Sequence, residues 1–291
     1  MEIFKQIASL QAYFRDLKCQ GKSIGLVPTM GALHDGHISL IRASKAQNQV
    51  TISSIFVNPI QFNNQNDLIK YPRNIGKDTK LLETVGCDVL FNPEDEEMYP
   101  KKSILKLDFG HLDKTMEGKF RPGHFSGVAL VVSKLFNIVQ PDHAYFGQKD
   151  WQQFAIIQKL TEELNFNIIL HSVATLREPD GLALSSRNLR LDDTERRAAT
   201  VFYKGLLQAK TGLQKGKSIQ EIKLEVHEFV EQVPGVRLEY FELVDSKNLN
   251  ALESVEQSAQ PIMCIAGYVG EIRLIDNMFV TPPPLRSSNL P

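Results

Sequence analysis

Short apolar runs alternate with amphipathic stretches over the first two-thirds of the chain. The runs predict buried strands at Ile24–Val27, Val50–Val57, Asp88–Phe91, His143–Phe146 and Asn167–Val173. Between them, helical spacing of apolar residues predicts helices at His37–Gln47, Asp78–Val85, Gly127–Val139 and Asp150–Leu164. Strands and helices in alternation predict an α/β fold, in which a parallel sheet carries helices on both faces.

A different pattern begins after about residue 176. Two helical stretches come first, at Asp192–Ala209 and Ser218–Val233. Three strand-like runs follow, at Arg237–Val244, Pro261–Tyr268 and Ile272–Phe279. This part of the sequence predicts a smaller α+β C-terminal domain. The predicted divisions are 1–175 for the first domain, 176–283 for the second and 284–291 for a loose, proline-rich tail.

Composition and charge narrow the class of protein. The 291 residues are 42% hydrophobic and 23% charged, with a formal net charge of −1. This balance gives no electrostatic reason to expect binding to nucleic acid or to an acidic membrane surface. The three cysteines, Cys19, Cys87 and Cys264, are too far apart for a metal-binding motif and suit a reduced compartment. No signal peptide and no run of about 18 apolar residues is present, so we expect a cytoplasmic protein.

Three loops follow predicted strands directly, at Pro28–Gly36, Asn58–Asn63 and Gly147–Asp150. Ligands of parallel α/β sheets bind at the carboxyl ends of the strands. The polar side chains of these loops are therefore the first candidates for a functional site.

The segment Pro28–His37 joins a predicted strand to a predicted helix and contains two histidines. His34 and His37 are three residues apart, so they share one face of the first helical turn. Gly31 and Gly36 let backbone approach a ligand closely, and the free N–H groups of a helix start bind phosphates. Two imidazoles there can donate hydrogen bonds to a departing pyrophosphate. The alternative is one capping histidine and one core histidine.

The loop Gly147–Asp150 stands at the end of a predicted strand and the start of a predicted helix. Lys149 is a compact charge suited to holding a phosphate. Asp150 suits either a helix cap or contact with a ribose. Gln153, one turn further on, is expected to face the same crevice. Seen alone, this string fits an ordinary surface turn equally well.

The predicted domain junction combines two hydroxyls with a guanidinium group. Ser185, Ser186 and Arg187 form the mixture of donors that phosphate recognition uses. Glycine and proline upstream indicate a loop that can close over a ligand. A capped linker before the next helix is the alternative.

Two shorter segments carry weaker signals. Asn58 and Gln61 follow a predicted strand, and neutral amides can orient a hydroxyl or carboxylate without adding charge. A simple turn explains Asn58 equally well when it is seen alone. The segment Gly118–His124 contains Arg121 among other basic residues, and a solvated basic turn is its alternative.

Taken together and in this order, these segments resemble the pantoate–β-alanine ligase family. The resemblance rests on PTMGALHDGH, SIFVNPIQF, YPRN, FRPGHFSGV, YFGQKDWQQ and REPDGLALSSRN. It runs from about residue 24 to residue 190 and continues more weakly to about residue 280. The HxGH-type and SSR elements also resemble the paired signatures of the wider nucleotidyltransferase superfamily.

The resemblance implies a Rossmann-like ATP-binding domain, a smaller C-terminal lid and a homodimer. The implied substrates are ATP with Mg²⁺, pantoate and β-alanine, with no nucleic acid or membrane partner. Pantoate and ATP would give an enzyme-bound pantoyl adenylate and pyrophosphate. β-Alanine would then attack the adenylate, giving pantothenate and AMP.

Carried over residue by residue, the resemblance implies three groups of ATP-binding residues. These are Met30, Gly31, Ala32, Leu33, His34, Asp35, Gly36 and His37, then Gly147, Gln148, Lys149 and Asp150, then Leu176, Leu184, Ser185, Ser186 and Arg187. His37 would be the proton donor, with His34, Lys149 and Arg187 as further catalytic residues on the phosphates.

The resemblance also implies substrate-binding residues, namely Gln61, Gln153, Asn58 and Arg121. Asp78 is the candidate ligand for magnesium, an ion that pairs with ATP phosphates and uses few protein ligands. Two positions depart from the family. Leu184 stands where methionine is common, and Gln148 stands where glutamate is frequent. Both substitutions keep the size of the side chain.

Two other functions are compatible with parts of this pattern. One is a nucleotidyltransferase that stops after the first step and releases a nucleotidylated product; Gln61 and Gln153 favour the ligase over it. The other is a non-catalytic nucleotide-binding regulator. The two histidines, Lys149 and Arg187 argue against a regulator.

Overall fold

The structure is a computed structural model that describes residues 1–281. These residues form two compact units. The first comprises Met1–Leu176 and Leu184–Ser186, and the second comprises Arg177–Ala183 and the chain from Arg187 onward. The predicted tail, 284–291, lies outside the described residues. In the described part of the chain, no helix has both the length and the apolar character needed to cross a membrane.

Six strands form the sheet of the first unit. They are β1 (Glu2–Phe4), β2 (Ile24–Thr29), β3 (Val50–Ile55), β4 (Val89–Phe91), β5 (His143–Gly147) and β6 (Ile169–Val173). Their order across the sheet is β1-β4-β3-β2-β5-β6, and every neighbouring pair is parallel. The parallel α/β fold predicted from the alternating pattern is confirmed.

Helices cover both faces of this sheet. They are α1 (Ile7–Cys19), α2 (Asp35–Gln47), α3 (Gln65–Ile69), α4 (Ile75–Thr84), α5 (Asp95–Met98), α6 (Met116–Phe120), α7 (His124–Val139) and α8 (Trp151–Glu163). Leu10 of α1, Phe136 of α7 and Leu160 of α8 lie in one apolar cluster with strand residues. Ile41 of α2 and Leu82 of α4 lie in another. The sheet is therefore buried on both faces, as all-parallel sheets are.

Two elements near the N-terminus have no counterpart in the prediction. β1 has three residues, too few for a run to be distinguished. α1 mixes charged residues among its apolar ones and buries Leu10 and Phe14. Ile7, Leu10, Phe14 and Leu17 have helical spacing and pack in one apolar cluster, but the N-cap residue, Gln6, gives no helix-start signal.

The sheet opens between β2 and β5. These strands are paired at Gly25 and Leu26 and separate beyond them, whereas β2 and β3 stay paired as far as Thr29. Pro28, which has no N–H to donate, occupies the part of β2 that has separated from β5. The strand order also reverses here, because β3 lies on one side of β2 and β5 on the other. Such a switch point is where open α/β sheets bind ligands.

The second unit combines three helices with a small antiparallel sheet. Its elements are α9 (Asp193–Ala198), α10 (Val201–Gln214), α11 (Ile219–Glu231), β7 (Val236–Asp245), β8 (Pro261–Val269) and β9 (Ile272–Phe279). The strand order is β7-β8-β9, and both pairs are antiparallel. This confirms the predicted α+β class of the C-terminal part.

The single helix predicted at Asp192–Ala209 is wrong, because two helices occupy this stretch and its continuation. The break lies at Thr200, whose hydroxyl donates to the Arg197 carbonyl over 2.9 Å. A threonine that bonds to a nearby carbonyl in this way competes with the regular helical ladder. Apolar spacing carries no signal of this local hydrogen bond.

Candidate active site

Two histidines lie at the start of α2, where the chain leaves β2. His34 is the N-cap residue of α2, and His37 is the third residue of the helix. Their ring centroids are 4.1 Å apart. Both residues line a pocket at the opening between β2 and β5. His34 therefore caps the helix and also faces the pocket, so the two interpretations of this residue do not exclude each other.

Backbone hydrogen bonds determine which nitrogen of each imidazole carries hydrogen. The Gly36 N–H donates to His34 Nδ1 over 3.1 Å, and the His34 N–H donates to His37 Nδ1 over 3.3 Å. A ring nitrogen that accepts a hydrogen bond carries no hydrogen, so each neutral ring has its hydrogen on Nε2. Each ring can therefore donate one hydrogen bond from Nε2.

Burial keeps both imidazoles neutral. It lowers the pKa of His34 to about 4, with the charge of Lys149 as the next cause. The pKa of His37 lies well below its usual value for the same first reason, with His34 and Lys149 as further causes. Near pH 7 both rings are hydrogen-bond donors without a charge of their own.

A glycine at position 36 makes room for the capping imidazole. A Cβ placed on Gly36 would lie 2.8 Å from His34 Cε1 and 2.9 Å from His34 Nδ1. Carbon atoms do not approach so closely, so a side chain here would displace the ring. The sequence interpretation gave this glycine a role in backbone approach to a ligand. In the structure its immediate effect is on the histidine.

Asp78 holds the loop between β2 and α2. Its carboxylate is buried and accepts hydrogen bonds from the Ala32 and Leu33 N–H groups, both over 2.8 Å. The Ser186 hydroxyl donates to the Ala32 carbonyl over 2.9 Å. Both side chains therefore position the loop. These contacts differ from those expected from the sequence, which were with a metal ion for Asp78 and with phosphate for Ser186.

The end of β5 places a lysine on the same pocket. Lys149 and Asp150 lie in a 3-10 helix between β5 and α8, and both line the pocket with Gly147. Lys149 Nζ lies 3.7 Å from Asp150 Oδ2, and the lysine side chain is 19% exposed. Gln153 of α8 lines the pocket as well. The structure thus brings together the lysine and the two histidines.

Gln61 lies in the wall of the pocket with a fixed orientation. It is 7% exposed, and its Oε1 accepts from Asn58 Nδ2 over 3.1 Å. Its Nε2 contacts the sulfur of Met30 at 3.0 Å. Each amide atom is engaged once, so the Gln61 oxygen keeps one lone pair and its nitrogen keeps one hydrogen for a ligand.

A glycine in α7 permits this placement of Gln61. A Cβ on Gly127 would lie 2.8 Å from both the Cα and the backbone nitrogen of Gln61. The short 3-10 helix Pro59–Gln61 therefore packs directly against the backbone of α7. Asn58 Nδ2 also donates to the Gly127 carbonyl over 3.1 Å.

Side chains behind Gln61 hold it in place. Tyr99 donates from its hydroxyl to Asn58 Oδ1 over 3.0 Å. Arg121 Nη1 lies 3.1 Å from His124 Nε2, and His124 Nδ1 lies 2.8 Å from the Gln61 carbonyl. A guanidinium group only donates, so His124 carries its hydrogen on Nδ1 and donates it to that carbonyl.

Two predicted substrate ligands belong to this support and not to the pocket lining. Asn58 is fully buried, and Arg121 lies 3.7 Å from the buried carboxylate of Glu117. Neither is among the described residues that line the pocket. This differs from the direct substrate contact expected from the sequence. The reason is that a short polar loop after a strand can fold inward as readily as outward.

An apolar wall formed by α7 completes the pocket, and sequence reasoning missed it. Its residues are Val128, Val131, Val132 and Leu135, joined by Phe56 and Tyr71. α7 buries twelve of its sixteen residues, so its pocket-facing residues have the same apolar character as its core residues. Among the pocket residues, Ser54 Oγ and Thr175 Oγ1 are buried without a described hydrogen-bond partner.

The remaining predicted ATP ligands fall into two sets. Leu176 and Leu184 line the pocket, and the Leu184 N–H donates to the Leu176 carbonyl over 3.0 Å. Other predicted ligands are not among its lining residues in the described chain, namely Gly31, Ala32, Leu33, Asp35, Gln148, Ser185 and Ser186. Arg187 belongs to the second unit, so its contact with phosphate stays a prediction.

The side chains that line the pocket suit a magnesium ion that is bound by ATP phosphates better than one that is bound by protein ligands. Within residues 1–281, no three histidine, cysteine, aspartate or glutamate side chains are grouped to hold a metal ion. Magnesium keeps several waters and is commonly bound through substrate phosphates. The imidazoles and Lys149 are donors and suit phosphate oxygens, not the ion.

The switch point of this parallel sheet holds a helix start, two neutral imidazoles and a lysine. This arrangement is typical of a nucleotide-dependent α/β enzyme. The family model described as pantoate-β-alanine ligase matches residues 2–279. The chain belongs to this family of ligases.

Curated relatives agree with this assignment over nearly their whole length. Pantothenate synthetase of Bacteroides thetaiotaomicron is 48% identical over 278 residues, covering 96% of this chain and 98% of the relative. Pantothenate synthetase of Aquifex aeolicus is 45% identical over 277 residues, covering 94% and 97%.

Solved structures of similar sequence have the same fold. The crystal structure of pantothenate synthetase from Thermus thermophilus has a TM-score of 0.91 at 39% identity, covering 97% of this chain and all of the other. The pantoate-β-alanine ligase of Francisella tularensis, crystallised with β-γ ATP and β-alanine, has a TM-score of 0.82 at 37% identity and covers 98% and 99%.

Proposed function

We propose that this protein condenses pantoate with β-alanine, using ATP, through an enzyme-bound pantoyl adenylate. Family membership and the sequence identity of the relatives support the overall reaction. The observation that carries the adenylate step is the pocket itself. Three hydrogen-bond donors suited to phosphate oxygens, His34, His37 and Lys149, line the pocket. The same pocket has an apolar wall and two amide side chains, Gln61 and Gln153. A nucleotide and a small branched acid can therefore lie side by side.

In the first step, a carboxylate oxygen of pantoate attacks the α-phosphorus of ATP. The new bond joins that oxygen to phosphorus, and the bond to the β-phosphate breaks to release pyrophosphate. Two anions must approach each other, so Lys149 offsets their repulsion and the charge developing on the leaving group. Magnesium bound to the triphosphate would supply further positive charge.

The two neutral imidazoles act on the same developing charge. Nε2–H groups of His34 and His37 are already fixed as donors by backbone hydrogen bonds. Donors held in place before the reaction need no reorganisation when charge builds up on phosphate oxygen. A neutral ring donates a hydrogen bond and has no proton to give readily. For His37 to act as proton donor it must first be protonated, which an adjacent triphosphate favours.

The acyl end of the pocket suits pantoate. Its two methyl groups can pack against valines of α7, and Gln61 Nε2 and Gln153 can bind its polar groups. In the second step, the amine of β-alanine attacks the acyl carbon, loses a proton and displaces AMP. Water would hydrolyse the adenylate, so the site has to be closed during the reaction. We propose that the C-terminal domain, with Arg187, acts as the lid.

The state of the protein in the cell is a further part of this proposal. Within residues 1–281, no disulfide joins Cys19, Cys87 and Cys264, which suits the cytoplasm. The homodimer implied by the family resemblance can be checked by analytical ultracentrifugation. A monomer at micromolar concentration would contradict it.

A coupled assay with each substrate omitted in turn tests the reaction. The protein should form AMP, pyrophosphate and pantothenate only when ATP, pantoate and β-alanine are all present. Without β-alanine it should still exchange labelled pyrophosphate into ATP in a pantoate-dependent way. Release of a free nucleotidylated product without β-alanine would instead identify a nucleotidyltransferase. ATP binding without any exchange would identify a regulator.

Isotope transfer tests the adenylate directly. When the carboxylate of pantoate carries heavy oxygen, one labelled oxygen should appear in AMP, because the bridging oxygen leaves with phosphorus. Unlabelled AMP would rule out attack by that carboxylate on the α-phosphate.

A further inference from the structure

Ser54 carries one of the two buried pocket hydroxyls that have no hydrogen-bond partner within residues 1–281, the other being that of Thr175. Ser54 of β3 is 1% exposed and lines the pocket. Its Oγ has no hydrogen-bond partner within residues 1–281, although its carbonyl accepts from Thr29 Oγ1 over 2.7 Å. We propose that Ser54 Oγ binds the terminal hydroxyl of pantoate and makes the site specific for an acid that carries it. This inference rests on the proposed function.

Apolar side chains surround Ser54 on its face of the sheet. Residues paired across parallel strands, and residues two apart along a strand, share one face. Ser54 is paired with Pro28 of β2 and Phe91 of β4, and it stands between Ile52 and Phe56 along the chain. None of these four side chains has an atom that forms ordinary hydrogen bonds. The pocket is the side from which a partner can come.

The neighbouring serine shows how a buried hydroxyl is ordinarily accommodated in this sheet. Ser53 points to the opposite face, is fully buried, and donates from Oγ to the Val27 carbonyl over 3.2 Å. Thr51 is also fully buried, and its hydroxyl is 2.7 Å from Ser44 Oγ. Buried polar groups are nearly always paired, so an unpaired hydroxyl at a pocket indicates a ligand group.

The position of Ser54 in the sheet determines which end of pantoate its hydroxyl can reach. In the order β3-β2-β5, Ser54 and Lys149 lie on opposite sides of β2. The carboxylate of pantoate has to meet the α-phosphate, so it points toward Lys149 and His37. The terminal hydroxyl is at the other end of the acid. The two methyl groups lie between these ends, where Val128 and Val131 form the apolar wall.

The test compares pantoate with an analogue that lacks the terminal hydroxyl, in pantoate-dependent exchange of pyrophosphate into ATP. Ser54→Ala should lower kcat/KM for pantoate by about tenfold, the effect of losing one neutral hydrogen bond in a buried site. The same variant should use the analogue as well as the wild type does. The wild type itself should prefer pantoate to the analogue, which gives a second measurement.

Ser53→Ala is the matched control. It removes a hydroxyl that has a protein partner, so it should lower the unfolding temperature and leave the ratio between the two substrates unchanged. Ser54→Ala should not lower the unfolding temperature, because its hydroxyl has no hydrogen-bond partner within the described chain.

Equal losses of Ser54→Ala with both substrates, or no loss with either, would overturn the inference. A second analogue, which lacks the hydroxyl beside the carboxylate instead, gives another check. If Ser54→Ala matched the wild type only with this second analogue, the inference would also be overturned. If the wild type showed no pantoate-dependent exchange, the proposed function itself would fail. Normal exchange with an unaltered Ser54→Ala variant would remove only the role of Ser54.

Discussion

The two ends of the pocket fix their polar atoms in different ways. At the nucleotide end, backbone N–H groups of one short segment hold the imidazoles of His34 and His37. At the acyl end, Gln61 accepts from the nearby Asn58, but Tyr99 holds Asn58 from behind and His124 of α7 holds the Gln61 carbonyl, so the support comes from distant parts of the sequence. The first arrangement is local and survives wherever the helix start survives. The second depends on the packing of several elements around α7.

This difference predicts different kinetic effects for the two ends. In the proposed reaction, groups at the nucleotide end would face atoms whose charge changes, so their loss should lower kcat. Groups at the acyl end would hold pantoate equally before and during that reaction, so their loss should raise the KM for pantoate. Four experiments test this division.

The largest effect is expected at the nucleotide end. His37→Ala or Lys149→Ala should lower the rate of pyrophosphate exchange on the order of 100-fold or more, comparable to losing one oxyanion donor. Rapid-quench measurement of adenylate formation isolates this step. Lys159→Ala is the control, since Lys159 pairs with Glu163 on the exposed side of α8. Normal turnover in the first two variants would remove both residues from the chemistry.

A smaller effect on a different constant is expected at the acyl end. Gln61→Ala should raise the pantoate KM by roughly tenfold, as expected for a lost hydrogen bond in a buried site, with little change in the KM for ATP. Steady-state kinetics with each substrate varied in turn separates the two constants. Gln11→Ala, on the exposed side of α1, should change neither. An unchanged pantoate KM would count against contact between Gln61 and pantoate.

The two ends also differ in how far the sequence predicts them. The pocket positions of the histidines and Lys149 are predictable because these residues directly follow strands of a parallel sheet, where ligands bind. The wall residue Val131 is not predictable, because a valine that faces a ligand looks like one that faces the core. Asn58 and Arg121 were assigned to substrate, but whether such side chains point outward or inward is decided by packing. The fold followed from periodicity, except for β1, α1, the short helices α3, α5 and α6, and the helix that breaks at Thr200.

The glycine beside His34 offers a finer test of the nucleotide end. Gly36→Ala should displace the capping imidazole, because the new Cβ would lie 2.8 Å from its Cε1. We expect kcat for pyrophosphate exchange to fall several-fold, with the His34 ring visibly moved in a crystal structure. The effect is smaller than deleting a donor, because a displaced ring can still reach phosphate.

A second glycine provides the matched control for this substitution. Gly76 is the second residue of α4, as Gly36 is of α2, and the nearest atom to a Cβ there is Asn74 Oδ1 at 4.0 Å. Gly76→Ala should leave activity unchanged and stabilise the protein by about 0.4–1 kcal/mol. Equal activity of the two variants would mean that the His34 cap does not matter for the reaction.

The smallest expected effect concerns acid stability. The pKa of His34 is lowered from its usual 6.5 to about 4 by burial and by the charge of Lys149. The unfolded chain therefore binds a proton at a higher pH than the folded protein does. The contribution of neutral His34 to the stability of the folded protein is complete above pH 6.5 and is lost as the pH falls toward 4.

His34→Asn keeps a capping side chain but removes this titrating group. The fall in unfolding temperature between neutral pH and about pH 5 should be smaller in this variant than in the wild type. Parallel decreases would show that folding does not lower the pKa of His34, and burial would then not be what keeps this donor at the nucleotide end uncharged.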